Sequence, residues 1–171
     1  MEVEVHFLRL KSKGDLMAKK SYIQKLQDTK DLPKIIKLDE KAQKRLNAKT
    51  MVVPKPTDIC DTIKDIPKGK LITTTEIRKR LAKKYNTDTA CPLTTGIFIN
   101  ICANASATLN NNIPYWRVLK SNGELNPKFP NAFDEQISLL ENEGFTILKR
   151  GKKNIKYIVK DYNKYLESIK G

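Results

Sequence analysis

The residues with the most distinctive chemistry in this chain are Tyr115, Trp116 and Arg117, set behind Pro114 in the run Ile113-Pro114-Tyr115-Trp116-Arg117-Val118. Trp116 is the only tryptophan among 171 residues. Two aromatics beside a guanidinium either bury apolar area or stack on a planar ligand. A phenol ionises near ~10 and an indole accepts no proton, so the pair offers neither a ready nucleophile nor a general base. Cys60, Cys91 and Cys102 form no CxxC pair, and with the single His6 they make no metal-ligand spacing. No cofactor or metal is expected, and a reducing, cytoplasmic setting is the default for so sparse a cysteine set.

Charge supplies the second class of candidates. Lys and Arg number 33 against 19 Asp and Glu, a formal net charge of +14. An excess of this size favours polyanions such as nucleic acid or an acidic membrane surface; a Lys-rich composition alone is the bland alternative. Lys149-Arg150-Gly151-Lys152-Lys153 sits between Phe145-Thr146-Ile147-Leu148 and the apolar run from Ile155 to Val159. This pattern predicts a β-hairpin with a basic tip, a wing that touches phosphates or a solubilising loop. No run approaches a membrane span and no signal peptide is evident.

The elements that must position these residues follow from pattern. Residues 1–16 read as a short strand or as a leader ahead of a start at Met17. Tyr22, Ile23 and Leu26 suggest a short helix, and Lys37 to Leu46 another. Met51 to Pro56 is extended, because each Pro biases its predecessor away from helix. The domain boundary is placed there, giving a basic N-terminal extension over 1–56 and a domain over 57–171. Ile59, Ile63 and Ile66 mark a helix from Thr57. Thr73 with Glu76 is a capping-box pattern opening a helix that carries Ile77 and Leu81. Pro92 starts a further helix to about Ala107, with Leu93, Ile97, Ile101 and Ala105 as its expected apolar face, widened by Phe98 and Cys102. From Cys91 to Asn112 there is no charged residue. That helix is either central and buried, or it presents Thr94, Thr95, Gly96, Asn100 and Asn104 to a groove. Asn122-Gly123 signals a turn, Asp134 to Glu143 a helix closed by Gly144, and Lys160 to Ile169 a terminal helix or tail. The fold class is mainly α with a small β-hairpin, a winged helix-turn-helix DNA-binding domain.

The order of these parts resembles a known family. Ile66-Pro67-Lys68-Gly69-Lys70-Leu71-Ile72-Thr73, the helix pair, Ile113 to Val118, Ser121-Asn122-Gly123 and Leu139-Leu140-Glu141-Asn142-Glu143-Gly144 look like the C-terminal domain of the O6-alkylguanine-DNA alkyltransferases. The resemblance covers about residues 57 to 145. That family moves an alkyl group from guanine onto a Cys activated by a neighbouring His. Here Tyr115 stands at the Cys and Trp116 at the His. Glu143 matches the Glu that orients the His, Thr74 stands at a Tyr, and Leu93 at about the position of an Arg that fills the gap left by a flipped base.

What remains resembles the alkyltransferase-like proteins, which bind alkylated guanine without repairing it and hand it to nucleotide-excision-repair proteins. The resemblance implies no enzyme and no catalytic residue. It implies a monomer that binds double-stranded DNA, including DNA with O6-alkylguanine, and has no membrane partner. A lesion pocket would be formed by Pro114, Tyr115, Trp116, Phe129 and Glu143. Thr74, Thr94, Thr95, Gly96, Asn100 and Arg117 would meet DNA, with Lys149, Arg150, Lys152 and Lys153 on phosphates. An apolar Leu93 could still prop a base step open. The alternatives are a winged-helix transcription regulator without lesion preference and a protein–protein adaptor.

Overall fold

The computed structural model describes residues 21–110 and 112–168. The expected leader or strand over 1–16, His6 and the start at Met17 lie outside the described residues. The chain begins with helix α1 (Tyr22–Gln27), opened by a Ser21–Gln24 capping box. Strand β1 (Lys34–Lys37) follows, then α2 (Glu40–Leu46) and β2 (Thr50–Val53). Lys37 therefore belongs to a strand, and the helix expected from Lys37 starts only where Asp39 caps the Ala42 amide. Helix α3 (Pro56–Lys64) leads through a turn to β3 (Ile72–Thr73) and α4 (Thr74–Lys84), capped by the Thr73 hydroxyl at the Glu76 amide.

Strand β4 (Thr89–Ala90) precedes α5 (Pro92–Thr108). A 3-10 turn, Tyr115–Arg117, runs into β5 (Val118–Leu119). Then come α6 (Phe133–Asn142), β6 (Ile147–Arg150), β7 (Lys156–Val159) and a 3-10 turn at Tyr162–Tyr165. The last replaces the expected terminal helix as far as residue 168. Its ring closes on Gly123, where a Cβ would come within 2.3 Å of the Tyr162 ring. Gly123 has φ +83, so the Asn-Gly turn needs glycine for both its backbone and its space.

Among the described residues the architecture is mainly helical with three small sheets. β1 pairs antiparallel with β2, and β2 pairs parallel with β4. β3 pairs parallel with β5, and β6 with β7 form the basic-tipped hairpin in the register Ile147 with Val159. Helices α1 and α3 pack on α5. Val52 is fully buried in the same core as Ile59, Ile63, Ile77, Leu81 and Ile99. The described part of the expected N-terminal extension therefore shares the core of the domain. A second core gathers Leu71, Leu119, Leu125, Leu140, Phe145 and Val159, and Trp116 packs against both. Cys60 on α3 and Cys102 on α5 are joined as a disulfide, and Cys91 is free.

Helix α5 is turned differently from its expected phase. It buries Thr95, Ile99, Ile101, Cys102, Ala103, Ala105 and Ser106. Leu93 is 72% exposed and Ile97 46% exposed. With no charge along the helix, apolar residues occur on every side and cannot mark the inner face. The orientation has a direct consequence in denaturant unfolding. Ile99→Ala should lower stability by about 2–5 kcal/mol, whereas Ile97→Ala should change it by no more than about 0.5 kcal/mol. Equal losses would contradict this placement of the helix.

Candidate nucleic-acid interface and its closed turn

The Tyr115–Arg117 turn is held from several sides. The Ser106 hydroxyl near the end of α5 donates to the Ile113 carbonyl at 2.7 Å and accepts from the Ile113 amide at 3.0 Å. On the far side β5 pairs with β3. Between them Gln136 of α6 is fully buried, and its side-chain amide donates to the carbonyls of Trp116 at 3.2 Å and Val118 at 3.0 Å. Its amide oxygen accepts from the Asn126 backbone at 3.1 Å, which ties down the loop that carries Phe129. A buried amide with all three bonds made has its desolvation compensated and specifies one arrangement of loop and turn.

Tyr115 is fully buried. Its ring meets Trp116 and Phe129 edge-on, with centroids 5.5 Å and 5.4 Å away. Its hydroxyl donates to Glu135 on α6, whose second oxygen accepts from Asn131 at 2.7 Å. Burial, then the Glu135 carboxylate, push the phenol well above its ordinary range. A sealed, protonated phenol is no nucleophile. It cannot stack on an extruded base either, since no part of the ring reaches solvent. Phe129 is 3% exposed. Of the expected pocket residues Tyr115 and Phe129 are buried, Pro114 and Trp116 are partly open, and the Glu143 side chain is turned inward.

Glu143 gathers three partners. One carboxylate oxygen accepts from the Trp116 indole N–H at 2.8 Å and from Arg117 Nη2 at 2.7 Å and Nε at 2.9 Å. The other accepts from the Gly69 amide at 3.1 Å. Arg117 Nη1 donates to the Ile66 carbonyl at 2.7 Å. Burial alone would raise the carboxyl, but Arg117, Trp116 and Gly69 together outweigh it and hold the group below its ordinary value. The side chains of Arg117 and Glu143 are 13% and 7% exposed. Arg117 therefore braces the segment after α3 against the end of α6. Its expected contact with DNA is corrected to a buried brace.

The residues expected at DNA divide into two groups. Thr94 and Gly96 lie half-buried on α5, and Thr74 opens α4. A Cβ on Gly96 would meet nothing within 4 Å, so the helix is thin there toward open space. Thr95 is fully buried and faces the core, which corrects its expected place at a groove; its hydroxyl has no partner among the described residues. The amide oxygen of Asn100 is taken by Asn126 at 3.0 Å, and Asn104 donates to the carbonyls of Asn100 and Lys128. These bonds commit the middle of α5 to the 126–131 loop rather than to a groove. Lys149, Arg150, Lys152 and Lys153 are exposed at the hairpin, whose apolar side packs in the second core.

Ser106, Asn126, Glu135 and Gln136 escaped the sequence-level reading. Buried or half-buried polar residues leave no apolar period to read, and their partners lie up to 26 residues away.

Comparison with known proteins places this geometry. No protein-family model matches the chain, and no curated protein matches it. A solved structure of S. pombe ATL in complex with DNA is similar, with a TM-score of 0.50 and 20% identity over 67% of this chain and 94% of that one. A second, of S. pombe Atl1 in complex with damaged DNA containing O6-carboxymethylguanine, gives 0.49 and 22% over the same shares. The fold is thus similar to that of an alkyltransferase-like protein.

The clamp predicts an acid-side loss of stability. A carboxylate held below its ordinary value stabilises the fold fully above the unfolded value of 4.5, and that contribution fades as pH falls toward the folded value. Glu143→Gln should cost about 3–5 kcal/mol at neutral pH, because it leaves Arg117 buried without its counter-charge. The gap between variant and wild type should narrow below pH 4.5. A constant gap from pH 7 to 3 in chemical denaturation would contradict the assignment.

Proposed function

We propose that this protein is a non-catalytic, alkyltransferase-like DNA-binding protein that engages duplex DNA at damaged guanine. The observation that carries the reading is the sealed Tyr115. The turn that would carry a reactive thiol in an alkyltransferase holds a protonated phenol bonded to Glu135. The fold is similar to that of a protein solved in complex with DNA.

In this reading α4 and α5 act as a helix-turn-helix, with Thr74, Thr94 and Gly96 nearest the duplex. The β6–β7 hairpin acts as the wing. Lys149, Arg150, Lys152 and Lys153 contact phosphates there, and the net charge of +14 supplies the long-range attraction. Alkyl transfer is not expected at the cysteines. Cys60 and Cys102 are bonded to each other within the core. Cys91 lies at the N-cap of α5, and its side chain makes no capping hydrogen bond.

Four phosphate contacts should weaken binding by about a hundredfold between about 50 and 200 mM salt, and Lys152→Ala with Lys153→Ala should reduce the logarithmic salt slope by about 2. Intact mass after incubation with O6-methylguanine DNA should stay unchanged. A flat salt dependence would remove the DNA-binding reading. A mass gain of one methyl on a cysteine would restore an enzyme.

A further inference from the structure

Helix α2, ahead of the helix-turn-helix, carries three cations that the reading above leaves unused. Lys41, Lys44 and Arg45 stand three and four residues apart, so they share one face of the helix. All three are exposed. Among the described residues no ion pair joins them to an acid, Glu40 in the first turn of the same helix included. Residues 21–55 hold nine Lys and Arg against four Asp and Glu, so the basic excess is not confined to the hairpin. Surface cations ordinarily serve solubility. The difference here lies in how firmly this helix is placed.

Strand β2, just after α2, pairs parallel with β4, Met51 beside Thr89 and Val52 beside Ala90. The amide of Cys91, the N-cap of α5, donates to the Val52 carbonyl at 2.9 Å. Asp88 closes the other end of this junction. Its Oδ2 accepts from the Lys49 and Thr50 amides, both at 2.9 Å, and from the Thr50 hydroxyl at 3.2 Å. The Thr50 hydroxyl accepts in return from the Asp88 amide at 3.0 Å. Asp88 lies in the connection between α4 and α5, the turn of the proposed helix-turn-helix. Ladder bonds and a carboxylate therefore tie the end of α2 to that turn, and Ala48 and Val52 in the tie are buried.

A recognition helix enters a groove by its N-terminal residues. The turn that feeds it then stands at the rim, where the sugar–phosphate backbone runs. We propose that the Lys41, Lys44 and Arg45 face of α2 is a second phosphate-binding surface, which holds the duplex backbone beside the site engaged by α5 and lengthens the footprint on the side of the α4–α5 turn. This rests on the DNA-binding reading above and adds a contact outside the helix pair and the hairpin. The ligand is the backbone rather than the bases, because the cations stand on a helix separate from α5, and contacts to phosphate position a protein without reading sequence.

The test uses the full chain and a fully paired duplex of about 24 base pairs, a little over two helical turns. Affinity is followed by fluorescence anisotropy of the labelled duplex between about 50 and 200 mM salt. Backbone protection is mapped by hydroxyl-radical cleavage at saturating protein. Four hairpin contacts alone give a logarithmic salt slope of about −3.6, and three more on α2 take wild type to about −6. Lys41→Ala with Lys44→Ala and Arg45→Ala should reduce the slope by about 2.7 and remove protection from one end of the footprint while its centre stays protected. The side chains are exposed and alanine is a good helix former, so this variant should keep its melting temperature. Lys41→Arg with Lys44→Arg keeps the charge and should keep both slope and footprint. Lys152→Ala with Lys153→Ala should leave that same end protected. An unchanged slope and footprint in the triple alanine variant would overturn the second surface while DNA binding stands. So would protection lost evenly along the duplex, as a mere fall in net charge would produce. Binding to phosphatidylserine vesicles that depends on these three residues, with no change in the DNA footprint, would assign the face to a membrane surface and overturn the proposal. Failure of wild type to bind the duplex at low salt would overturn the DNA-binding reading itself.

Discussion

The rest of the structure depends on the Glu143 carboxylate. It gathers the guanidinium of Arg117, the indole of Trp116 and the amide of Gly69, while Arg117 reaches on to the Ile66 carbonyl. Three parts of the chain are thereby fixed together: the segment between α3 and β3, the 3-10 turn, and the end of α6. Charge-assisted, bidentate bonds of this kind are strong and directional. Buried charges also penalise alternatives, because an arrangement that separates them strands one in the core. Trp116 lies at the meeting of the two hydrophobic cores, so the clamp also sets how those cores join.

The chemistry of the turn follows from that constraint. With the turn pinned, Tyr115 has no way to swing outward without losing Glu135, Phe129 and its own burial. The helices pack around a turn position filled by a large aromatic ring. Outside the closed turn lies the basic hairpin, with Lys149, Arg150, Lys152 and Lys153 exposed. In the proposed reading the hairpin supplies affinity without sequence information.

Much of this was legible beforehand. The Ile59, Ile63 and Ile66 spacing, the Thr73 cap, Pro92 at the start of α5, the Asn122-Gly123 turn and the basic hairpin are all local patterns, and each element appears within a few residues of its expected bounds. Two-residue strands such as β3, β4 and β5 carry no readable period, and they exist because distant segments meet. The inner face of α5 was misread for a related reason. Its residues are apolar or small on every side, so Leu93 and Ile97 were expected inside and Thr95 outside. Packing of α1 and α3 against the helix decides the matter, and neither is visible in its own spacing. The partnership of Glu143 with the Trp116 indole joins residues 27 apart, which no local pattern announces.

The central claim is that the Tyr115–Trp116 turn stays closed when DNA is bound. The single tryptophan makes this directly measurable, since Trp116 is the only such fluorophore in the chain. Its emission would be recorded in complexes saturated with plain duplex and with the same duplex carrying O6-methylguanine. A closed turn predicts the same emission in both complexes. Quenching confined to the lesion complex, as a base stacked on Trp116 would produce, would contradict the account and show that the turn opens to admit a flipped guanine.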